Sequence, residues 1–413
     1  MKAVKQMILL AAAALMGISC SERSVKSDFP YDVPQAYLEE AEDIPPFWLA
    51  TTDEVNDFIK KTVRKGSYEQ VGTSAGGRPI YAVTYGVPRQ GKGSTTYSGA
   101  SVINKPETYR GPDNDKKVYM AISGVHGFEL EGIVGSINLI SVLETGRDLN
   151  GTQWSEITEL ARQLDRIVLI PLVNPDGRDR VPIRMESFKG SAPAAFMAHE
   201  YLNTGGRDGG KLLGWPDCKE YIPLDFSSVE FPGSYPNDAG VNIMHDDFFG
   251  HPQPETRMLY EITEREKPDL MLNMHTGRPR NNYFIGMLPP CESSCDPILM
   301  RVWEDLYRSV HTELTLYGLQ KTNNVELEST PPRRQEGIGN FNLNSAIGLH
   351  CGALVVTVED GSHGYTGVYD DGTPVEHTPL KSLKSELLVH QESMKFLLTT
   401  GGLGQWSKDY FVE

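Results

Sequence analysis

The chain has 413 residues, with 39 Lys and Arg against 55 Asp and Glu and a formal net charge of -16. This acidic balance speaks against nucleic-acid binding, which needs a basic surface for phosphates. No run approaches the roughly 20 apolar residues of a membrane helix, so the length leaves two or three average domains or one large α/β domain.

Lys2 and Lys5 precede an apolar core from Met7 to Met16, and small residues then lead to Cys20. This pattern predicts an export signal over residues 1–19. Cys20 follows Gly17-Ile18-Ser19 and resembles the acceptor Cys of a bacterial lipoprotein, although Gly17 stands where that motif usually has Leu, Val or Ile. The expected location is periplasmic or cell-surface, with the membrane met only through that lipid. Residues 20–48 are polar and punctuated by Pro30, Pro34, Pro45 and Pro46, which suits a flexible tether, and the catalytic body is expected over 49–413.

Thr51 with Glu54 resembles a capping box, and Val55, Phe58, Ile59 and Val63 follow at helical spacing. Strands are predicted at Tyr68–Val71, Ile80–Tyr85 and Val118–Ser123, then helices at Ile133–Leu143 and Ile157–Leu164. Next come the strand Ile167–Leu172 and a turn at Asn174-Pro175-Asp176-Gly177. Residues 178–250 break this rhythm with many Gly and Pro and read as a long irregular excursion near the site. Regular structure resumes with a helix at Glu255–Glu264, the strand from Leu270 and a helix at Pro297–Leu316. The strand Ala353–Val358 and a helix at Leu380–Leu398 complete the pattern. Strands alternating with helices predict one α/β domain around a central mixed, mostly parallel twisted sheet flanked by helices. Of the four Cys after Cys20, Cys291 and Cys295 could form a disulfide outside the cytoplasm, whereas Cys218 and Cys351 suit buried thiols.

The chemistry collects where apolar strands end. Val118–Val125 runs into His126-Gly127-Phe128-Glu129, and the Leu270 strand ends on His275. Two His and one Glu can hold a single zinc ion and leave a position open for water. Glu359, at the end of the Ala353 strand, is then the candidate general base, with Asp360 beside it read as a turn residue. In an open parallel sheet, ligands bind outside the carboxyl ends of the strands, where these four residues are expected.

These motifs resemble, in order, those of the zinc carboxypeptidases of the carboxypeptidase A type. The segment Val71 to Ile80 is similar to that family's Gly-x-Ser-x-x-Gly-Arg-Pro-Ile hairpin. His126 to Glu129 resembles its first zinc motif, Asn174 to Gly177 its Asn-Pro-Asp-Gly turn and Pro254-Glu255-Thr256 its Glu-Pro-Glu-Thr segment. His275-Thr276-Gly277 and Thr357-Val358-Glu359 resemble the third ligand and the catalytic Glu. The resemblance implies zinc on His126, Glu129 and His275 and a general base at Glu359. It also implies an Arg that stabilises the oxyanion. Arg180 is the candidate, with Arg178 and Arg184 as alternatives. Where the family has Gly-Val-Asp-x-Asn-Arg, this chain has Gly240-Val241-Asn242-Ile243-Met244-His245, so the Asn-Arg pair that grips a terminal carboxylate is Met-His here. Asn242 keeps the ability to accept a bond from a ligand His. His245, Asn242 and Arg278 are the substrate-side candidates, with Arg280, Arg333 and Arg334 as alternatives to Arg278. The family's substrate-covering Tyr has no counterpart between Tyr317 and Glu359, where Phe341 stands instead.

The expected activity is therefore hydrolysis of a peptide bond by a zinc-activated water. The altered clamp raises an alternative on the same scaffold: an amidase or deacylase acting on an acylated amino acid or a cell-wall peptide. A non-catalytic binding protein would not need three ligands and a base. Gly72-Thr73-Ser74-Ala75-Gly76 also fits the serine-hydrolase elbow, but Ile80 to Tyr85 read as a strand where that elbow needs a helix.

Overall fold

The computed structural model describes residues 30–187, 193–214, 217–218, 222–277, 285–319, 336–368 and 372–409, and the unit Asp32–Glu413 carries the fold. Thr51 caps the helix Thr52–Thr62 through a capping box: its hydroxyl accepts Glu54 N at 3.2 Å, and the Glu54 carboxylate accepts Thr51 N at 3.1 Å. Two otherwise unpaired N–H groups of the first turn are thereby satisfied. β1 (Ser67–Thr73) and β2 (Pro79–Gly86) then form an antiparallel hairpin. Ser74 sits in its turn, where its N–H donates to Arg78 O at 2.8 Å and its hydroxyl to Asp176 at 2.5 Å. A strand follows Ser74, so the Gly-x-Ser-x-Gly run is a hairpin turn and not a nucleophile elbow.

The sheet continues with β3 (Val118–Ser123) and β4 (Arg166–Ile170). After a separate small hairpin of β5 (Gly206–Arg207) and β6 (Lys211–Leu212) come β7 (Leu270–Gly277), β8 (Ile285–Leu288) and β9 (Leu354–Gly361). The seven-stranded order is β1-β2-β4-β3-β7-β9-β8, with β4, β3, β7 and β9 parallel and the outer strands antiparallel. The parallel strands are almost wholly buried, which explains their near-continuous apolar runs. From β3 the chain winds outward to β4 on one side, whereas β7 and β9 extend the sheet on the other. Between β3 and β7 the winding reverses, and a crevice opens at the strands' carboxyl ends.

Helices Leu130–Thr145, Ser155–Gln163, Pro297–Leu316 and Pro379–Thr400 pack together on one face of the sheet. The first of these is buried on all sides, because the sheet lies against one flank and Pro379–Thr400 against another. On the opposite face, Pro254–Glu266 and Leu343–Cys351 cover Met120, Ile122, Val168, Ile170, Met271 and Val355.

Two expectations need correction, and the open question of Cys291 and Cys295 is answered. The tether predicted for 20–48 is part of the body from Asp32 on: Gln35–Leu38 forms a 3₁₀ turn, Glu40 bridges to Glu186, and Phe47 and Trp48 are buried. Residues 178–250 are not irregular throughout, since they contain the helix Pro193–Thr204, the β5–β6 hairpin and 3₁₀ turns at Phe226–Ser228 and Ile243–His245. Cys291 and Cys295 are both free, like Cys218 and Cys351; the Cys291 thiol instead meets Ser293 Oγ at 3.2 Å and Gly337 O at 3.3 Å. Residues 1–29, with Cys20 and the expected export signal, lie outside the described residues.

The site-bearing strands are aligned at their amino ends by Asp269. Its N–H donates to Val118 O of β3 at 2.9 Å, and its C=O accepts Leu354 N of β9 at 3.0 Å. Its buried carboxylate accepts Val118 N and Leu403 N, each at 2.9 Å, and pairs with Arg89 at 3.0 Å and with the fully buried Arg110. Removing one partner of such a buried pair leaves the other charge uncompensated. Asp269→Ala should therefore cost about 3–5 kcal/mol, seen as a lower denaturant midpoint in equilibrium unfolding.

Candidate metal centre

β3 delivers His126 through a tight turn. A Cβ on Gly127 would lie 2.1 Å from Arg178 N, so only glycine fits between the ligand His and the segment after β4. Gly127 N donates to Ser234 O at 3.1 Å and Phe128 N to Ser234 Oγ at 2.9 Å, and Glu129 then opens the Leu130–Thr145 helix. β7 contributes His275 from the neighbouring strand. Asn174, expected in a turn, instead caps a short helix, Pro175–Asp179, with its carbonyl oxygen accepting Gly177 N at 2.9 Å.

His126, Glu129 and His275 are buried together, with one ligand atom of each within 4.8 Å of the others. The Glu129 carboxylate faces both imidazoles: one oxygen is 2.8 Å from His126 Nδ1, and the other is 2.6 Å from His275 Nδ1. Asn203 Nδ2 donates to the first oxygen at 3.2 Å and Thr276 N to the second at 3.4 Å. Burial alone would push the Glu129 carboxyl up, yet the two imidazoles hold it well below the usual carboxylate range. For His275, burial acts to lower the pKa, but Glu129 more than offsets it and the net shift is upward. For His126, burial prevails and the net shift is downward.

These residues fit zinc. A tetrahedral ion with bonds of about 2.0–2.2 Å keeps its ligand atoms about 3.3–3.6 Å apart, so the two short Nδ1–oxygen contacts would spread by roughly 0.5–1 Å on binding it. Two imidazoles and one carboxylate supply three protein ligands and leave one position open for water or substrate. Asn242 supports one ligand from behind. Its carbonyl oxygen lies 3.3 Å from His126 Nε2 and accepts Met244 N at 3.0 Å, while its amide donates to Cys218 O at 2.8 Å. His275 Nε2 is buried without a partner among the described residues.

Strand alternation places the next residues. In the β7–β9 register His275 lies opposite Glu359 and Thr276 opposite Asp360. Glu359 is half-buried, and a Cβ on Gly277 would come within 2.7 Å of its carboxylate. Asp360 points to the other face and is no turn residue: it is a fully buried strand residue whose carboxyl interacts with Glu386 of Pro379–Thr400.

The chain matches the zinc carboxypeptidase family model over residues 58–336. It belongs to the zinc carboxypeptidase family. Membership makes it a metallocarboxypeptidase-type hydrolase, and the matched span carries all three ligands and ends before Glu359. Similar solved structures include a metallo-carboxypeptidase from Burkholderia cenocepacia, at 14% identity and TM-score 0.49 over 84% of this chain and 69% of that one. Another is the Pseudomonas aeruginosa metallo-carboxypeptidase in complex with (2-guanidinoethylmercapto)succinic acid, at 16% identity and TM-score 0.48 over 84% and 68%. Carboxypeptidase A from Helicoverpa armigera is similar at 13% identity and TM-score 0.43 over 98% and 82%. No curated protein sequence matches the chain.

Within this zinc carboxypeptidase several predicted substrate-side residues have other attachments. Arg180 donates to Gly233 O and Pro236 O at 2.8 Å each, pairs with Asp238 at 2.8 Å and lies over the Phe226 ring. Arg178 is buried and donates to Ala50 O, Val181 O and Ile183 O, and Arg184 pairs with Glu54. Met244 is buried in the core beside Asn273, and His245 is half-buried with its N–H on Asn242 O. Phe341 packs against Phe248 and Phe249. Arg278, Arg280, Arg333 and Arg334 lie outside the described residues. The sequence reading missed Asn203, which bonds Glu129, and Tyr235, which stacks on His126.

Asp360 and Glu386 have a measurable consequence. Burial raises both carboxyls well above the usual range; Glu386 and Glu131 raise Asp360 further, and Glu131 raises Glu386 further. Because the folded pKa exceeds the unfolded one, this contribution to stability is complete below the unfolded value of about 4 and is lost as pH rises through the folded value. The thermal midpoint of the native protein should therefore fall on moving from about pH 5 to pH 9. Glu386→Gln should flatten that fall, as followed by differential scanning calorimetry.

Proposed function

We propose that the protein is a zinc-dependent peptidase that holds one zinc ion on His126, Glu129 and His275 and uses Glu359 as general base. One observation carries the reading: both Nδ1 atoms converge on the Glu129 carboxylate, with Glu359 opposite His275 in the adjacent strand. When bound, zinc supplies Lewis acidity toward the attacking water and the scissile carbonyl. Glu359 takes the water's proton and delivers it to the leaving amine. Glu129 and Asn242 keep the His126 ring in one orientation, with Nδ1 toward the metal position and Nε2 toward the amide oxygen. Arg180, with both ends of the 233–236 segment on its guanidinium, acts by holding that loop in place.

The substrate is a peptide or an acylated amino acid. Met244 favours the second reading, an amidase or deacylase, because a buried thioether at the clamp position offers no donor to a terminal carboxylate. Export with a lipid on Cys20 completes the proposal and would place the substrate outside the cytoplasm. No helix among the described residues is long and apolar enough to cross a membrane.

Glu359→Gln should lower kcat by about 10²–10⁴-fold while zinc content stays at one ion per chain. Undiminished turnover would remove the base assignment. The two substrate readings separate in a digest of paired peptides with free and amidated C-termini. Cleavage of both at similar rates supports the amidase, and cleavage of the free form alone supports the carboxypeptidase.

A further inference from the structure

The Tyr235 ring lies flat on the His126 imidazole, with centroids 3.5 Å apart and planes 9° from parallel. Aromatic pairs more often sit offset or edge-on with centroids about 4.5–7 Å apart, so direct overlap at van der Waals thickness is a close and confining contact. An imidazole covered in this way cannot turn about its Cβ–Cγ bond without driving an edge into the phenol. Its present setting puts Nδ1 on Glu129 and Nε2 on Asn242.

The segment that presents Tyr235 is fixed at every backbone position around it. Ser234 N and Tyr235 N both donate to Asn203 O, at 2.8 and 3.1 Å, and Tyr235 O accepts Asn174 Nδ2 at 3.1 Å. Ser234 O accepts Gly127 N from the ligand turn itself, and Arg180 holds Gly233 O and Pro236 O. The same Asn203 that accepts these N–H groups donates its amide to Glu129. The ligand turn and the stacking ring are thus one bonded unit.

The other support of His126 is weak. Asn242 offers a neutral carbonyl oxygen at 3.3 Å, shared with Met244 N. A neutral acceptor orients an imidazole less firmly than a carboxylate would.

We infer that Tyr235 is a positioning residue that locks His126 in its zinc-binding orientation, compensating by stacking for the neutral acceptor behind it. This inference rests on the zinc reading above. The ring acts and the hydroxyl is not required. Burial and the nearby Glu129 keep the phenol protonated, so no charge enters the stack.

The test is zinc affinity, measured by competition with a chromophoric chelator, together with the visible spectrum of the cobalt-substituted protein. Tyr235→Leu should weaken zinc binding by about 10–100-fold and change the cobalt spectrum, while Tyr235→Phe should retain the native values of both. Adding Asn242→Asp to Tyr235→Leu should recover most of the lost affinity, which a loss of general packing would not allow. Native zinc affinity and an unchanged cobalt spectrum in a folded Tyr235→Leu variant would overturn the inference. If the unaltered protein bound no zinc, the functional reading itself would fail.

Discussion

Burying the Glu129 carboxylate at the end of β3 removes it from water, and the cost is met only because two imidazoles and two N–H groups converge on it. That requirement ties together parts of the chain that share no local interaction. His126 must leave β3 in a glycine-dependent turn, His275 must lie near the carboxyl end of the adjacent parallel strand, and Asn203 must arrive from the Pro193–Thr204 helix. A divalent cation satisfies the same arrangement from its centre, with the imidazoles neutral and the carboxylate ionised.

The sheet makes this convergence possible and sets its polarity. Parallel β3, β7 and β9 present their carboxyl ends together at the point where the winding reverses. A period of two residues then sorts adjacent acids into different roles. Glu359 lies beside His275 on the crevice side, whereas Asp360 turns toward the helix layer and meets Glu386. At the opposite end of the strands, Asp269 couples the starts of β3, β7 and β9, so the register that aligns the ligands is fixed by a buried ion-paired carboxylate about one strand length away.

Much of this was legible in the sequence where the physical signal is local. Val118–Ser123 and Pro297–Leu316 lie where apolar runs and helix starts predicted them, and the Thr51–Glu54 capping box formed. His126 and Glu129 were readable because they follow the apolar run of β3, and His275 because it lies near the carboxyl end of the apolar β7. The Pro193–Thr204 helix was not, since it follows no amphipathic stripe and buries polar residues such as His199 and Asn203. Asn203 and Tyr235 escaped notice for a related reason: each reaches the ligands across more than seventy residues, through contacts that no spacing encodes. Asp360 was misread because a polar residue before Gly361 looks like a turn, and only the β9 register shows that it lies inside a strand.

The central claim is that one metal ion sits among these three side chains, and diffraction from crystals of the zinc-loaded protein at the zinc absorption edge tests it most directly. The account predicts a single anomalous peak about 2.0–2.2 Å from Nδ1 of His126, Nδ1 of His275 and the Glu129 carboxylate. A peak bound through Nε2, a peak elsewhere in the molecule, or none at the site would contradict it.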